Sequence, residues 1–168
     1  MRALARTIVG VVALGSAALA NRVHYDQITL EQLVQRSPTI VVAHVGEPPT
    51  QTTQLAIGKP DQKAPPFQRV QQRYVVDEVL RGAATLKGRT ILVDEANFSE
   101  QLELHKRYYL EGTSKSPIYD RYAPRRPARG PRSILFLRGN DDALAFSADG
   151  AIEDTSLTGA VKKAMRRD

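Results

Sequence analysis

Ser37-Pro38-Thr39-Ile40-Val41-Val42-Ala43-His44-Val45 is a run of mostly β-branched, apolar residues that starts at a proline. Alternate side chains of a strand point to opposite faces. Ile40 and Val42 therefore share one face, and Val41, Ala43 and Val45 share the other, so both faces are largely apolar. A strand of that kind belongs in the interior of a β-structure, with neighbours on both sides. Pro38 disfavours helical backbone at Ser37, so any helix before the strand must stop there.

Upstream, the chain reads as a short helix. Thr29 followed three residues later by Gln32 fits a capping box, and Ile28 and Leu33 stand at the spacing of a hydrophobic staple. Leu30, Leu33 and Val34 form its apolar face. Further back, residues 1–20 read as a cleavable secretory signal. Arg2 and Arg6 come first, the apolar run Ile8 to Leu14 follows, and Ala18 and Ala20 put small residues at the two positions a signal peptidase accommodates. The apolar run falls short of the roughly 20 residues that span a bilayer. The expected organisation is a signal peptide, 1–20, then a single domain, 21–168, of an exported protein that resides in the periplasm or outside the cell.

Downstream, nine of the ten prolines fall in the stretches 48–66 and 117–131, which leaves the rest free for β-ladders. Long loops are expected at 46–67 and 113–132. Strands are expected at 69–80, with Val70, Tyr74, Val76 and Leu80 facing inward, and at 90–93, 108–110, 133–138 and 143–147. Glu78 interrupts the alternation of its strand and points to a bulge or a rim position near Asp77-Glu78. Asp154 or Thr155 caps a last helix with Leu157, Val161 and Met165 on one face. The expected fold class is mainly β with flanking helices, as an OB-like β-barrel, with a β-sandwich as the alternative.

The runs Ile28 to Val34, Ser37 to Val45 and Tyr74 to Gly82, with the late strand Ser133 to Arg138, resemble a group of small exported bacterial proteins. Those proteins are similar in layout to the netrin-like branch of the OB-fold. The resemblance implies that architecture and no activity. Netrin-like inhibitors of metalloproteases act through an N-terminal cysteine, and this chain has no cysteine, so that mechanism is not available to it.

Composition narrows the chemistry. Without cysteine there is no disulfide framework, no thiolate nucleophile and no cysteine-based zinc site. The absence of tryptophan and the low aromatic content argue against stacked-aromatic binding platforms. His24, His44 and His105 are too scattered for a metal pair, and His44 is expected to be half-buried with a backbone partner. Asp94 and Glu95, with Glu100 and Glu103, are expected to form a solvated rim, since neighbours on a strand do not converge on one bond. No serine stands in a Gly-x-Ser-x-Gly elbow. No catalytic residue, metal site or cofactor is expected.

The segment 113–132 carries Lys115, Arg121, Arg125, Arg126, Arg129 and Arg132 against a single acid, Asp120, with Tyr119 and Tyr122 interleaved. Guanidinium groups match planar anions and tyrosine adds a stacking face. These eight residues are the candidate binding set, for an anionic polymer, a lipid headgroup or an acidic protein partner. Nucleic acid would be in the wrong compartment. The expected function is an exported, non-enzymatic binding domain. The alternatives are an enzyme with a loop-built site that lacks a linear motif, or a structural or assembly protein without a ligand. A solvated loop that arginines merely keep soluble is the plainest reading of the segment.

Overall fold

Strand β2 (Thr39–Leu55) holds the position its sequence demands, bonded to β3 (Phe67–Arg81) on one side and β6 (Arg132–Arg138) on the other. The computed structural model describes residues 24–58, 64–111, 118–140 and 143–167. Residues 1–20 and Lys115 therefore lie outside the described residues. Ile40, Val41 and Ala43 are wholly buried, and Val42 nearly so. Asp77 is the residue left unpaired where the register slips between Val42–Glu78 and Ala43–Val76, which is the expected bulge.

The remaining elements are β1 (His24–Ile28), α1 (Leu30–Arg36), β4 (Thr90–Asp94), α2 (Phe98–Lys106), β5 (Ile118–Tyr122), β7 (Leu144–Phe146), β8 (Ile152–Asp154) and α3 (Thr158–Met165). The capping box is formed in full: the Gln32 amide donates to Thr29 Oγ1 at 3.2 Å and the Thr29 amide to Gln32 Oε1 at 2.8 Å. At the other end of α1, Arg81 Nη1 donates to the Val34 carbonyl at 2.7 Å, which satisfies one of the orphan acceptors of the last turn. Asp154 caps a 3₁₀ turn (Thr155–Leu157) that leads into α3, where Val161 is buried and Leu157 and Met165 pack against the core.

The architecture corrects the expected OB-like barrel and its sandwich alternative. The chain forms a mixed α/β fold with two sheets, one of six strands in the order β2-β3-β4-β7-β6-β8 and one of two, β1-β5. A further β2–β6 pairing completes a ring of hydrogen-bonded strands, but the ring is not curled into a barrel. Its weakest stretch is β7, three residues long and joined to β4 and to β6 by two residue pairs each. Apolar alternation reports that strands pair, and it says nothing about closure. The second sheet is a parallel pair, His24↔Ile118 through Ile28↔Tyr122, whose strands are far apart in sequence.

Three local expectations also change. The stretch 46–67 contains ladder at 50–55 and 67, since β2 and β3 stay paired from Thr50↔Gln72 to Leu55↔Phe67, as a two-stranded arm from Thr52↔Val70 onward. Its Gln and Thr residues read as loop because the arm is mostly half-buried or exposed beyond Gln71, and Val70, expected inward, is 40% exposed there. The stretch 113–132 contains β5. Tyr108 to Leu110 belong to a π-helical turn (Arg107–Glu111) after α2, not to a strand.

Candidate functional site

Tyr122 ends β5 with its ring buried, and from there the arginine segment is tied down residue by residue. The Tyr122 amide donates to the Asp149 carbonyl at 2.7 Å and the Asp149 amide to the Asp120 carbonyl at 2.9 Å. Gly150 follows with φ +76°, and a Cβ there would stand 2.3 Å from the Tyr122 carbonyl oxygen. Only glycine allows the two segments to approach this closely.

Glu153, on β8 opposite Ile134 of β6, is fully buried. Its Oε1 accepts from the Tyr122 hydroxyl and from the Arg125 amide, the latter at 2.7 Å. Oε2 accepts from the Arg126 amide at 3.0 Å. The next residue continues the clamp: the Asp154 amide donates to the Arg126 carbonyl at 3.0 Å, and Asp154 Oδ2 accepts from the Arg129 amide at 3.3 Å. A buried carboxylate is tolerated when its lone pairs are occupied by good donors, and here three donors meet it. Residues 122–129 are therefore a strap fixed from beneath. Burial, followed by the bond to Glu153, pushes the Tyr122 phenol well above its ordinary pKa. The Ser156 amide and hydroxyl, then the Arg129 amide, hold the Asp154 carboxyl below the usual range.

The candidate binding residues divide accordingly. Tyr119 and Tyr122 are 6% and 3% exposed, so neither offers a stacking face. Burial, chiefly, raises the Tyr119 phenol. Arg121 donates to Asp149 Oδ2 at 2.8 Å and lies 3.5 Å over the Tyr25 ring. Arg125 reaches Glu31 at 3.3 Å. Even Asp120, the segment's own acid, is engaged by Arg36. Arg132 is exposed at the start of β6, opposite His44 in the β-register. Arg125, Arg126 and Arg129 are brought together, around a recess of about 310 Å³ shared with Pro127, Asp154 and Ser156.

A second recess, of about 480 Å³, is lined by Tyr25 and Arg121 together with Gln72, Glu95, Asn97 and Asp149. Most of its polar groups already have partners. Asp149 holds Arg121, and Gln72 Oε1 accepts from the Tyr74 hydroxyl at 2.6 Å. Glu95 is exposed at its rim.

Two sequence expectations about acids and histidines need correction. Asp94 is not on a solvated rim: it is 4% exposed and takes a bidentate pair from Arg69, at 2.8 and 2.6 Å. His44 does not rely on a backbone partner. Its Nδ1 lies 3.1 and 3.2 Å from the two carboxylate oxygens of Asp77, the bulged residue, and its side chain is 42% exposed. A bulge re-aims side chains, which is how a strand partner one residue out of step reaches the imidazole. His105 bonds the Pro65 carbonyl at 2.9 Å and packs edge-on to Phe67. Among the described residues, no group of three or more acids and histidines is placed to hold a metal ion.

Sequence reasoning missed Glu153, the residue that organises the site. It is one acid in the short run Ala151-Ile152-Glu153, and nothing local marks it as buried. The compared family models, curated proteins and solved structures include no match to this chain. Among the described residues, no helix is long and apolar enough to cross a membrane.

Proposed function

We propose that this chain is an exported, non-catalytic structural or assembly module, in which the arginine-rich segment is first of all part of the fold. The observation that carries this reading is the Glu153 clamp. A buried carboxylate bonds the Tyr122 hydroxyl and the Arg125 and Arg126 amides, so the segment's backbone is a fixed strap and not a solvated loop. The internal pairing of Arg121 with Asp149 and of Arg125 with Glu31 supports it further. Exposed ion pairs contribute little stability each, but they occupy guanidiniums that a broad anion-binding face would need free. The export half of the proposal rests on the signal-like residues 1–20.

Limited trypsin digestion tests the structural half. Trypsin cuts after arginine in chain that opens locally, so a solvated segment with five arginines between 121 and 132 would be its first target. The strap reading expects Arg125 and Arg129 to resist cleavage in the native protein and to become the first cuts in Glu153→Gln. Rapid cleavage of the native protein at those sites would contradict it. Intact mass of periplasmic material tests export, with loss of residues 1–20 expected and a full-length species held in the inner membrane as the contrary result.

A further inference from the structure

The recess beside Arg126 and Arg129 holds an excess of positive charge that the fold does not use. Three guanidiniums, of Arg125, Arg126 and Arg129, line it against one carboxylate, Asp154. Asp154 feels the Arg126 charge but makes no ion pair within 4 Å with these guanidiniums; its Oδ1 accepts from the Ser156 amide at 2.9 Å and its Oδ2 from the Arg129 amide. Arg125 has Glu31 at 3.3 Å. Arg126 reaches only the Ser156 hydroxyl, at 3.3 Å, and among the described residues neither Arg126 nor Arg129 has a carboxylate partner for its guanidinium. Both side chains are exposed. The Ser156 hydroxyl is engaged on both sides, accepting from Arg126 and bonding the Asp154 carboxyl.

We propose that this recess is a binding site for a tetrahedral oxyanion, a phosphate or a phosphate ester, held by the Arg126 and Arg129 guanidiniums. With Glu31 on Arg125 and Asp154 in the recess, one positive charge remains in excess, which favours an anion. Guanidinium forks suit phosphate oxygens better than ammonium groups do. What sets these arginines apart from an ordinary charged loop is the backbone beneath them. The Arg126 amide and carbonyl and the Arg129 amide are all bonded to β8, and Pro127 fixes φ between them. A ligand then meets guanidiniums whose spacing is set in advance, and less ordering entropy opposes binding. The inference rests on the strap being folded as proposed above.

Inorganic phosphate and vesicles serve as the two probes. Phosphate titrated into the full chain, followed by the Arg126 and Arg129 guanidinium and Ser156 amide resonances, is expected to give a saturable shift. Flotation with vesicles rich in phosphatidic acid, against neutral phosphatidylcholine, separates a headgroup source from free phosphate. Arg126→Gln with Arg129→Gln should weaken whichever binding is seen by about tenfold or more, the effect of losing charge-assisted bonds. Arg132→Gln, the same kind of charge loss outside the recess, should change it by less than about twofold, since an exposed charge at a distance is screened. No saturable shift together with no acidic-vesicle binding would overturn the site, as would equal losses from Arg132→Gln and the double variant. If the strap resists trypsin while phosphate and vesicles both fail, the oxyanion site falls and the structural reading stands. If the strap is cut freely in the native protein, both fall.

Discussion

The strap from Tyr122 to Arg129 carries exposed guanidiniums on a backbone bonded to a wholly buried carboxylate, whereas the segment from Phe98 to Leu110 is helical, aromatic and without a single buried residue. Composition alone would rank them the other way, with the arginines loose and the aromatics packed. The helical segment rests on the β2–β3 arm through two ring contacts, Phe67 to Phe98 at 5.9 Å and Phe67 to His105 at 5.2 Å, and His105 in turn lies 4.6 Å from Tyr109 of its own segment. Tyr108 and Tyr109 remain 66% and 48% exposed. Ring contacts of this kind contribute roughly 0.5–1.5 kcal/mol each and tolerate reorientation. Charge-assisted bonds to a buried carboxylate are directional, and losing them leaves donors stranded. A segment's order is thus set by what its backbone bonds to, not by how polar its side chains are.

The sharpest way to break the contrast is to empty the clamp. Glu153→Ala strands the Tyr122 hydroxyl and two part-buried backbone amides, and should cost about 3 kcal/mol or more in urea denaturation, at roughly 1 kcal/mol or more for each donor left unsatisfied. A loss below about 1 kcal/mol would mean that water replaces the carboxylate and that the strap is not held from beneath.

Asp94→Ala comes next. It removes the acceptor of the Arg69 fork, whose guanidinium also lies 4.9 Å over the Phe98 ring. Because Arg69 keeps access to solvent, the expected cost is about 2 kcal/mol, less than for a pair buried on both sides. The amides of α2 should then exchange faster, since this pair joins β3 and β4 beneath that helix. Unchanged exchange in α2 would show that the ring contacts suffice alone.

Alkaline pH probes the strap with a smaller perturbation. Tyr122, Tyr74 and Tyr119 have phenols raised above their ordinary pKa, by burial first in each case. Since their folded-state values exceed the unfolded one, the stability they contribute is complete below about pH 10 and is lost as pH climbs through the folded values. Ultraviolet titration should show these three phenols ionising late, together with unfolding. Tyr122→Phe should cost about 1 kcal/mol at neutral pH and shift that alkaline loss upward. An alkaline limb identical to that of the native protein would remove Tyr122 from the clamp. The smallest effect is expected from Phe98→Ala, roughly 1 kcal/mol in global stability, with faster proteolysis confined to 98–111.

Much of the local structure was legible in the sequence. The capping box at Thr29, the doubly buried strand at Thr39, the bulge at Asp77 and the Leu157–Val161–Met165 face all follow from patterns within a few residues, and all are present. What escaped depends on partners distant in sequence. His24 pairs with Ile118, and Glu153 with the amides of Arg125 and Arg126, across separations that leave no periodic trace. The β2–β3 arm was hidden for a different reason: its Thr and Gln residues are polar on both faces, so hydrophobic alternation could not reveal it. Closure into a barrel was the largest misreading, because the same alternation serves a ring of strands that is not curled into a barrel.

The central claim is that the arginine segment is pinned from beneath. Amide hydrogen exchange at Arg125 and Arg126, read residue by residue by NMR, tests it most directly. The account predicts that both amides exchange only through global unfolding, as slowly as those of β6, while exposed amides of the α2 turn exchange orders of magnitude faster. Exchange at Arg125 and Arg126 as fast as in an unstructured peptide would contradict it.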